Sequence, residues 1–179
     1  MPYETDEQRF KRLDGMRQGA KVVNYSALYG VGSKKLSRES GMSQKEATDL
    51  LDAFWKLNWS IQKVAGDSYT KTLKEGSEWI KNPVSGFYYN LRNERDKWST
   101  LNQGTGVFVF DSWVMRMLRK GVVPSMSYHD EVLINVPKGT EAEVESKLKE
   151  SMDEVNRSLN LNVSITVDVQ VGGSYSEVH

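Results

Sequence analysis

The apolar positions Ala20, Val23, Ala27 and Leu28 recur at i, i+3, i+7 and i+8, the mark of one helical face, and predict a helix over about 14–29 that ends at Gly30 and Gly32. After Gly41, Ser43 followed by Glu46 forms a capping box, and Ala47, Leu50, Leu51, Phe54 and Trp55 carry helical spacing to about Leu57. A further helix is expected over 61–74. "NPVSGFYYN" (82–90) then breaks regularity with Pro and Gly before a short extended run. Residues 94–119 hold no proline, and Leu101, Val107, Phe110, Val114 and Leu118 predict a long, mostly buried helix, interrupted or closely approached at Gly104 and Gly106.

The pattern changes in the last third. "SMSYHDEVLINVP" (125–137) predicts a β-hairpin with His129 and Asp130 near its tip. Thr140 with Glu143 spells a second capping box, and Val144, Leu148, Met152, Val155 and Leu159 are the apolar face of the helix after it. In "NVSITVDVQV", Val163, Ile165, Val167, Val169 and Val171 alternate with polar residues, the period of a half-buried strand. There is no internal repeat or low-complexity linker. The expected class is α+β, helical first, then a small antiparallel sheet carrying a helix.

Composition narrows the classes. The 179 residues suffice for one sizeable domain or two small ones. The formal charge is zero, yet the first forty residues hold eight Lys/Arg against five Asp/Glu, and from Gly139 onward there are three against eight. Cysteine is absent, which excludes disulfides and thiolate metal sites, and only two His are present. No apolar run reaches 18 residues, and "MPYETDEQRF" lacks the order of a signal peptide, so the expected protein is soluble and cytoplasmic, with no membrane partner.

Two elements could carry chemistry. In "RQGAKVVNYSALYG" (17–30), Arg17, Lys21 and Tyr25 stand four residues apart, so two cations and a phenol share one helical stripe. By itself such a stripe is the ordinary solvated face of a helix. The hairpin tip places His129, Asp130 and Glu131 where a tight turn forces unusual backbone angles, which Asp and Asn tolerate best. Carboxylates there suit Mg²⁺, which takes oxygen ligands and substrate phosphates; alone, the same turn reads as a solvated acidic loop.

Together these motifs resemble family A DNA polymerases. "RQGAKVVNYSALYG" resembles the fingers-helix pattern Arg-x3-Lys-x3-(Phe/Tyr)-x3-Tyr-Gly, "RDKWSTLNQGTG" (95–106) resembles Arg-x3-Asn-x3-Gln-Gly-Thr, and "HDE" on a hairpin resembles the third palm motif. The resemblance runs from about Met16 to His179, including a terminal His like that of many relatives. It implies a right-hand polymerase fold, with fingers over 1–93 and the C-terminal half of the palm over 94–179. It further implies that Arg17 and Lys21 bind the incoming deoxynucleoside triphosphate, with Lys21 as proton donor to the leaving pyrophosphate, and that Tyr25 lies beside the sugar. Tyr29 would sit near the templating base, Arg95 and Gln103 on the minor groove of the primer-template DNA, and His129 near the primer terminus. Asp130 would hold catalytic Mg²⁺ with Glu131 supporting it.

Two departures matter. Ser99 stands where the family pattern has Asn, and the first palm motif, Asp-Tyr-Ser-x-x-Glu or a variant, does not occur. That motif brings the second metal-bridging Asp, and two ions held roughly 3.5–4 Å apart need more than one Asp-Glu pair. The expectation is therefore a split polymerase subunit of phage type, active when an N-terminal subunit supplies the first palm motif and the thumb and completes a two-metal site, in the host cytoplasm if phage-encoded. The polar lead-in behind Met1 agrees with a separately encoded chain. The alternatives are a non-catalytic DNA-binding or regulatory relic, and an excised piece of a longer polymerase.

Overall fold

The computed structural model describes residues 5–178. They fall into two compact units, Met1–Gln103 and Gly104–His179, with α-helices and small antiparallel sheets, consistent with the expected α+β class.

The first unit opens with α1 (Asp6–Leu28). It starts eight residues before the expected Asp14, because Thr5 and Gln8 form a reciprocal capping box that the apolar periodicity does not register. Asp6 and Glu7 favour the first turn through the helix dipole, and Lys11 pairs with Glu7 at 2.7 Å. Docking is confined to the last turns, where Ala27 is buried and Val23 packs beside it, while Ala20 stays exposed. Gly30 takes φ 71° after the helix end. The partners are α2 (Ser33–Ser40), which the periodicity missed, and α3 (Gln44–Leu57); Leu36, Ala47 and Leu51 close this small core with Ala27. The Ser43 box forms as expected: Ser43 Oγ accepts from the Glu46 N–H at 3.2 Å, and the Ser43 N–H donates to the Glu46 carboxylate at 2.8 Å.

The helix expected over 61–74 is instead α4 (Trp59–Asp67) followed by a strand. Ser68 Oγ donates back to the Val64 carbonyl at 2.6 Å at its end, and a turn with Gly76 at φ 85° folds β1 (Thr70–Thr72) onto β2 (Glu78–Lys81). β3 (Tyr88–Leu91), the anticipated extended run, completes an antiparallel sheet in the order β1-β2-β3, with Thr70↔Ile80↔Tyr89 in register. Ile80 and Leu91 are buried with Leu101. Asn82 fixes the β2–β3 connection: its carbonyl oxygen accepts from the Val84 and Ser85 N–H groups, and its amide donates to the Leu101 carbonyl at 3.0 Å.

The second unit begins within α5 (Lys97–Arg119), which a 3₁₀ turn over Glu94–Asp96 precedes. The helix runs unbroken through Gly104 and Gly106, so the expected interruption does not occur; Gly104 is buried, whereas a Cβ at Gly106 would meet nothing within 4 Å. Its buried stripe is Val109, Trp113 and Met117 at i, i+4, i+8; Val107 and Leu118, expected inside, are 58% and 41% exposed. Leucine and valine are common on protein surfaces, so a stripe chosen by residue type alone can miss the packed face. α6 (Glu141–Leu159) supplies the other wall with Leu148, Met152 and Val155, the face the sequence predicts. Trp113 Nε1 donates to the Leu148 carbonyl at 3.0 Å, satisfying the one polar atom of that ring.

Two expectations fail here. Thr140 precedes α6 without capping it: its hydroxyl donates to the Pro137 carbonyl at 2.8 Å, and Glu143 turns to Lys147 at 2.6 Å. Residues 163–171 form no strand, since none of the described residues pairs with them as one. Val167 and Val169 do lie against the α5–α6 core, so the alternation reports a covered face without a hydrogen-bonded neighbour. What holds the tail is a side chain. Asn156 of α6 accepts from the Ile165 N–H at 2.9 Å and donates to its carbonyl at 2.8 Å, standing in for a strand partner. α7 (Tyr175–Val178) is a final single turn, and His179 lies outside the described residues.

Candidate functional site

On α1, Arg17, Lys21 and Tyr25 are all exposed along one stripe, with Tyr25 57% accessible. Steps of four residues rise about 6 Å each, so the stripe runs about 12 Å from guanidinium to phenol. Its fullest exposure falls on the part of α1 that no core residue anchors. Arg17 has a loose i−3 neighbour, Asp14, at 3.9 Å, with both side chains largely solvated, a contact too weak to commit the guanidinium. The stripe therefore offers two available cations and a ring.

Three further sequence-predicted residues meet at the C-terminal end of α1. Gln103 Nε2 donates to the Tyr29 hydroxyl at 2.6 Å. Next to it, a Cβ at Gly30 would sit 3.5 Å from Arg95 Cβ, so Arg95 lies directly against the Tyr-Gly turn. The backbone of Arg95 is set by Asn93, whose side-chain oxygen accepts from the Arg95 N–H at 3.1 Å. Ser99, the position that departs from the family pattern, spends its hydroxyl on the Asp96 carbonyl at 3.0 Å.

In the second unit, β4 (Met126–Tyr128) and β5 (Glu131–Leu133) pair as Met126↔Leu133, Ser127↔Val132 and Tyr128↔Glu131, leaving His129 and Asp130 as the two-residue tip. His129, rather than Asp130, takes the left-handed backbone, at φ 53°. An L-residue there costs roughly 1–2 kcal/mol. The Tyr128 ring abuts the His129 imidazole edge-on at 4.3 Å between centroids. Asp130 and Glu131 are exposed and border a cleft of about 700 Å³ that Trp113, Leu148, Val167 and Val169 also line.

Adjacent carboxylates at an exposed turn have the donor chemistry of a hard-cation site, with oxygen ligands and room for substrate oxygens. Among the described residues, no group of three or more His, Asp or Glu side chains converges on a point that could hold a metal ion. Asp130 and Glu131 thus fit part of a Mg²⁺ shell and leave the remainder to other groups. Asn156, which orders the tail along this cleft, was not found from sequence. It lies nine residues from Ile165 on a helix, and no local motif signals the contact.

A sequence model for DNA polymerase family A matches residues 8–177, and the chain belongs to that family. It is 24% identical to DNA polymerase I of Streptococcus pneumoniae over 178 residues, covering 90% of this chain and 20% of that protein. It is 27% identical to DNA polymerase I of Bacillus subtilis, over 89% of this chain and 20% of the relative. The thermostable DNA polymerase I of Thermus filiformis is 25% identical, over 90% and 21%. The chain therefore spans about a fifth of the length of these relatives. Among solved structures, the POL domain of Pol1 from M. smegmatis, in complex with DNA primer-template and dNTP, aligns with a TM-score of 0.56 at 18% identity, covering 85% of this chain and 28% of that one. This likeness establishes the fold. No helix among the described residues is long and apolar enough to cross a membrane.

Proposed function

We propose that this chain carries the nucleotide-binding fingers, over 1–93, and the C-terminal half of the palm, over 94–179, of a DNA polymerase, and works in template-directed DNA synthesis. The observation that carries the reading is the exposed Arg17–Lys21–Tyr25 stripe of α1 in a chain of this family. A deoxynucleoside triphosphate laid along it meets the cations with its phosphates and the ring with its sugar. Arg17 clamps phosphate oxygens through its planar fork, and Lys21 holds a proton at Nζ for the departing pyrophosphate oxygen. Tyr29, ordered by Gln103, and Arg95 beside it face the primer-template DNA, and His129 approaches the primer end.

Asp130 would hold Mg²⁺ with Glu131 in support, and the ion would supply Lewis-acid chemistry there, offsetting phosphate charge and making the primer hydroxyl easier to deprotonate. The absence of Asp-Tyr-Ser-x-x-Glu from the sequence, and of any group of three side chains able to hold a metal ion among the described residues, supports completion of this site by another polypeptide segment. We assign that segment to an N-terminal subunit of a phage-type split enzyme acting in the host cytoplasm.

Primer extension tests the reading, with the 179-residue chain alone and mixed with an N-terminal polymerase segment bearing the first palm motif. Extension is expected only from the mixture. Lys21→Ala should slow single-turnover incorporation roughly 100- to 10,000-fold, the span of a lost general acid. Asp130→Asn should abolish incorporation while DNA binding persists, because phosphate contacts dominate affinity. Robust extension by the chain alone would remove the need for a partner, and unchanged turnover in Lys21→Ala would remove α1 from the site. Assembly that binds DNA without incorporating would favour the relic reading, which the lone Asp130–Glu131 pair supports.

A further inference from the structure

The three-stranded sheet has two faces of different chemistry. Ile80, Tyr89 and Leu91 point inward to Leu101. Strand alternation puts Tyr69, Lys71, Trp79, Lys81, Tyr88 and Asn90 on the other face, with Lys71↔Trp79↔Asn90 and Lys81↔Tyr88 as cross-strand rows. Tyr69 joins the second row, since the Lys81 N–H donates to its carbonyl. Tyr69 and Tyr88 are 59% and 45% exposed. Their rings meet edge-on at 6.3 Å, and Lys81 Nζ stands 6.0 Å from the Tyr88 centroid. A cleft of about 230 Å³ lies among Lys71, Leu73, Trp79 and Tyr88. Pockets for whole cofactors run from about 300 to 1,000 Å³, so this one suits a single planar ring.

This face combines three aromatic rings with two lysines and no carboxylate at its six positions. A protein-binding face would be depleted of charge at its centre, whereas here Lys81 stands on the central strand β2 between Tyr69 and Tyr88, and Lys71 lies beside Trp79. Cations between rings match a polyanion whose planar groups are free to stack. A duplex hides its base faces, which leaves a single strand.

We propose that the outer face of the β1-β2-β3 sheet binds single-stranded nucleic acid by stacking bases on Tyr69, Trp79 and Tyr88 and pairing phosphates with Lys71 and Lys81. The choice of DNA, as the unpaired template stretch, rests on the polymerase reading; the stacking surface does not. The site uses none of the residues assigned to nucleotide transfer, so the two readings fail separately: loss of incorporation reports the first, and loss of strand binding by the face variants reports the second.

The test is fluorescence anisotropy of a labelled oligothymidylate titrated with the full chain. Wild type is expected to bind. Tyr88→Ala should weaken binding roughly 5- to 150-fold, the range for removing one stacked base, whereas Tyr88→Phe keeps the ring and should stay within about twofold. Lys81→Ala should lower the slope of log affinity against log salt by about 0.7, as one phosphate contact is lost. Both tyrosines are exposed, so the unfolding midpoint of each variant should match wild type. Absence of wild-type binding overturns the proposal, as does equal affinity in the correctly folded Tyr69→Ala/Tyr88→Ala protein. Self-association in sedimentation that this double variant abolishes, with oligothymidylate affinity unchanged, would instead give the face to a second copy of the chain.

Discussion

Residues 70–91 and residues 163–171 invert the relation between pattern and structure. The first stretch alternates poorly, is broken by Pro83 and by turns at Gly76 and Gly86, and yet makes a hydrogen-bonded sheet. The second alternates cleanly through five apolar positions and pairs with no strand among the described residues. Period-two alternation records which side of an extended chain is covered. It says nothing about the edge, and the edge is where a strand finds its partner. β1, β2 and β3 carry their own partners one turn away in sequence. Among the described residues, the Asn156 amide is what stands in for a partner strand of the tail.

The largest effect expected from this contrast is on stability. Ile80 is fully buried beneath the sheet, so Ile80→Ala should cost about 2–5 kcal/mol in denaturant unfolding. Val169, half-buried on the tail, should cost about 1 kcal/mol or less as Ala. Equal losses would mean that the tail is held as firmly as the sheet. Next comes Asn156→Ala, which removes both hydrogen bonds to Ile165 and should cost about 1–3 kcal/mol. Hydrogen exchange should then quicken at the Ile165 amide and remain unchanged in β2. A uniform quickening would show that the clamp serves the whole molecule.

The same inversion occurs at two helix starts. Ser43-x-x-Glu46 and Thr140-x-x-Glu143 are the same motif, but only Ser43 caps. Ser43→Ala should cost about 1 kcal/mol, and Thr140→Ala should stay within about 0.5 kcal/mol. The smallest effect is in titration. The Glu46 carboxyl is held below its ordinary range first by the Ser43 hydroxyl and then by the Ser43 backbone N–H. Glu143 is lowered by hydrogen bonding to Lys147 and by that residue's charge. A lowered folded pKa contributes stability above the unfolded value and loses it as pH falls through the folded one. In a carboxyl-detected NMR titration, Ser43→Ala should therefore move Glu46 upward, while Thr140→Ala leaves Glu143 in place.

Sequence made much of the molecule legible where the determinants are local: α3 with its box, the buried face of α6, the two-residue hairpin tip and the α1 stripe. The remainder escaped apolar periodicity, in part because its signal is polar or a turn and in part because packing decides it. Polar capping at Thr5 set the start of α1, the turn at Gly76 converted an expected helix into a strand, and packing chose Trp113 and Met117 over Val107 and Leu118 on α5. At the candidate site, residue types and their order were readable. The Tyr29–Gln103 bond spans 74 residues and the left-handed angle fell on His129, so both needed the fold.

The open hydrogen-bonding edges of the tail have a consequence for the protein in a test tube. From Val163 to Val171 the chain is rich in β-branched residues, has no proline or glycine, and carries one charge, Asp168. Short segments of that composition stack in register into cross-β fibrils when their edges are left open, and a flanking or central charge is what slows them. Concentrated solutions of the chain are therefore expected to lose monomer to fibrils seeded by this stretch. Asp168→Asn should shorten the lag in a thioflavin assay, and a proline at Thr166 should lengthen it, which makes the choice of storage concentration a property written into nine residues.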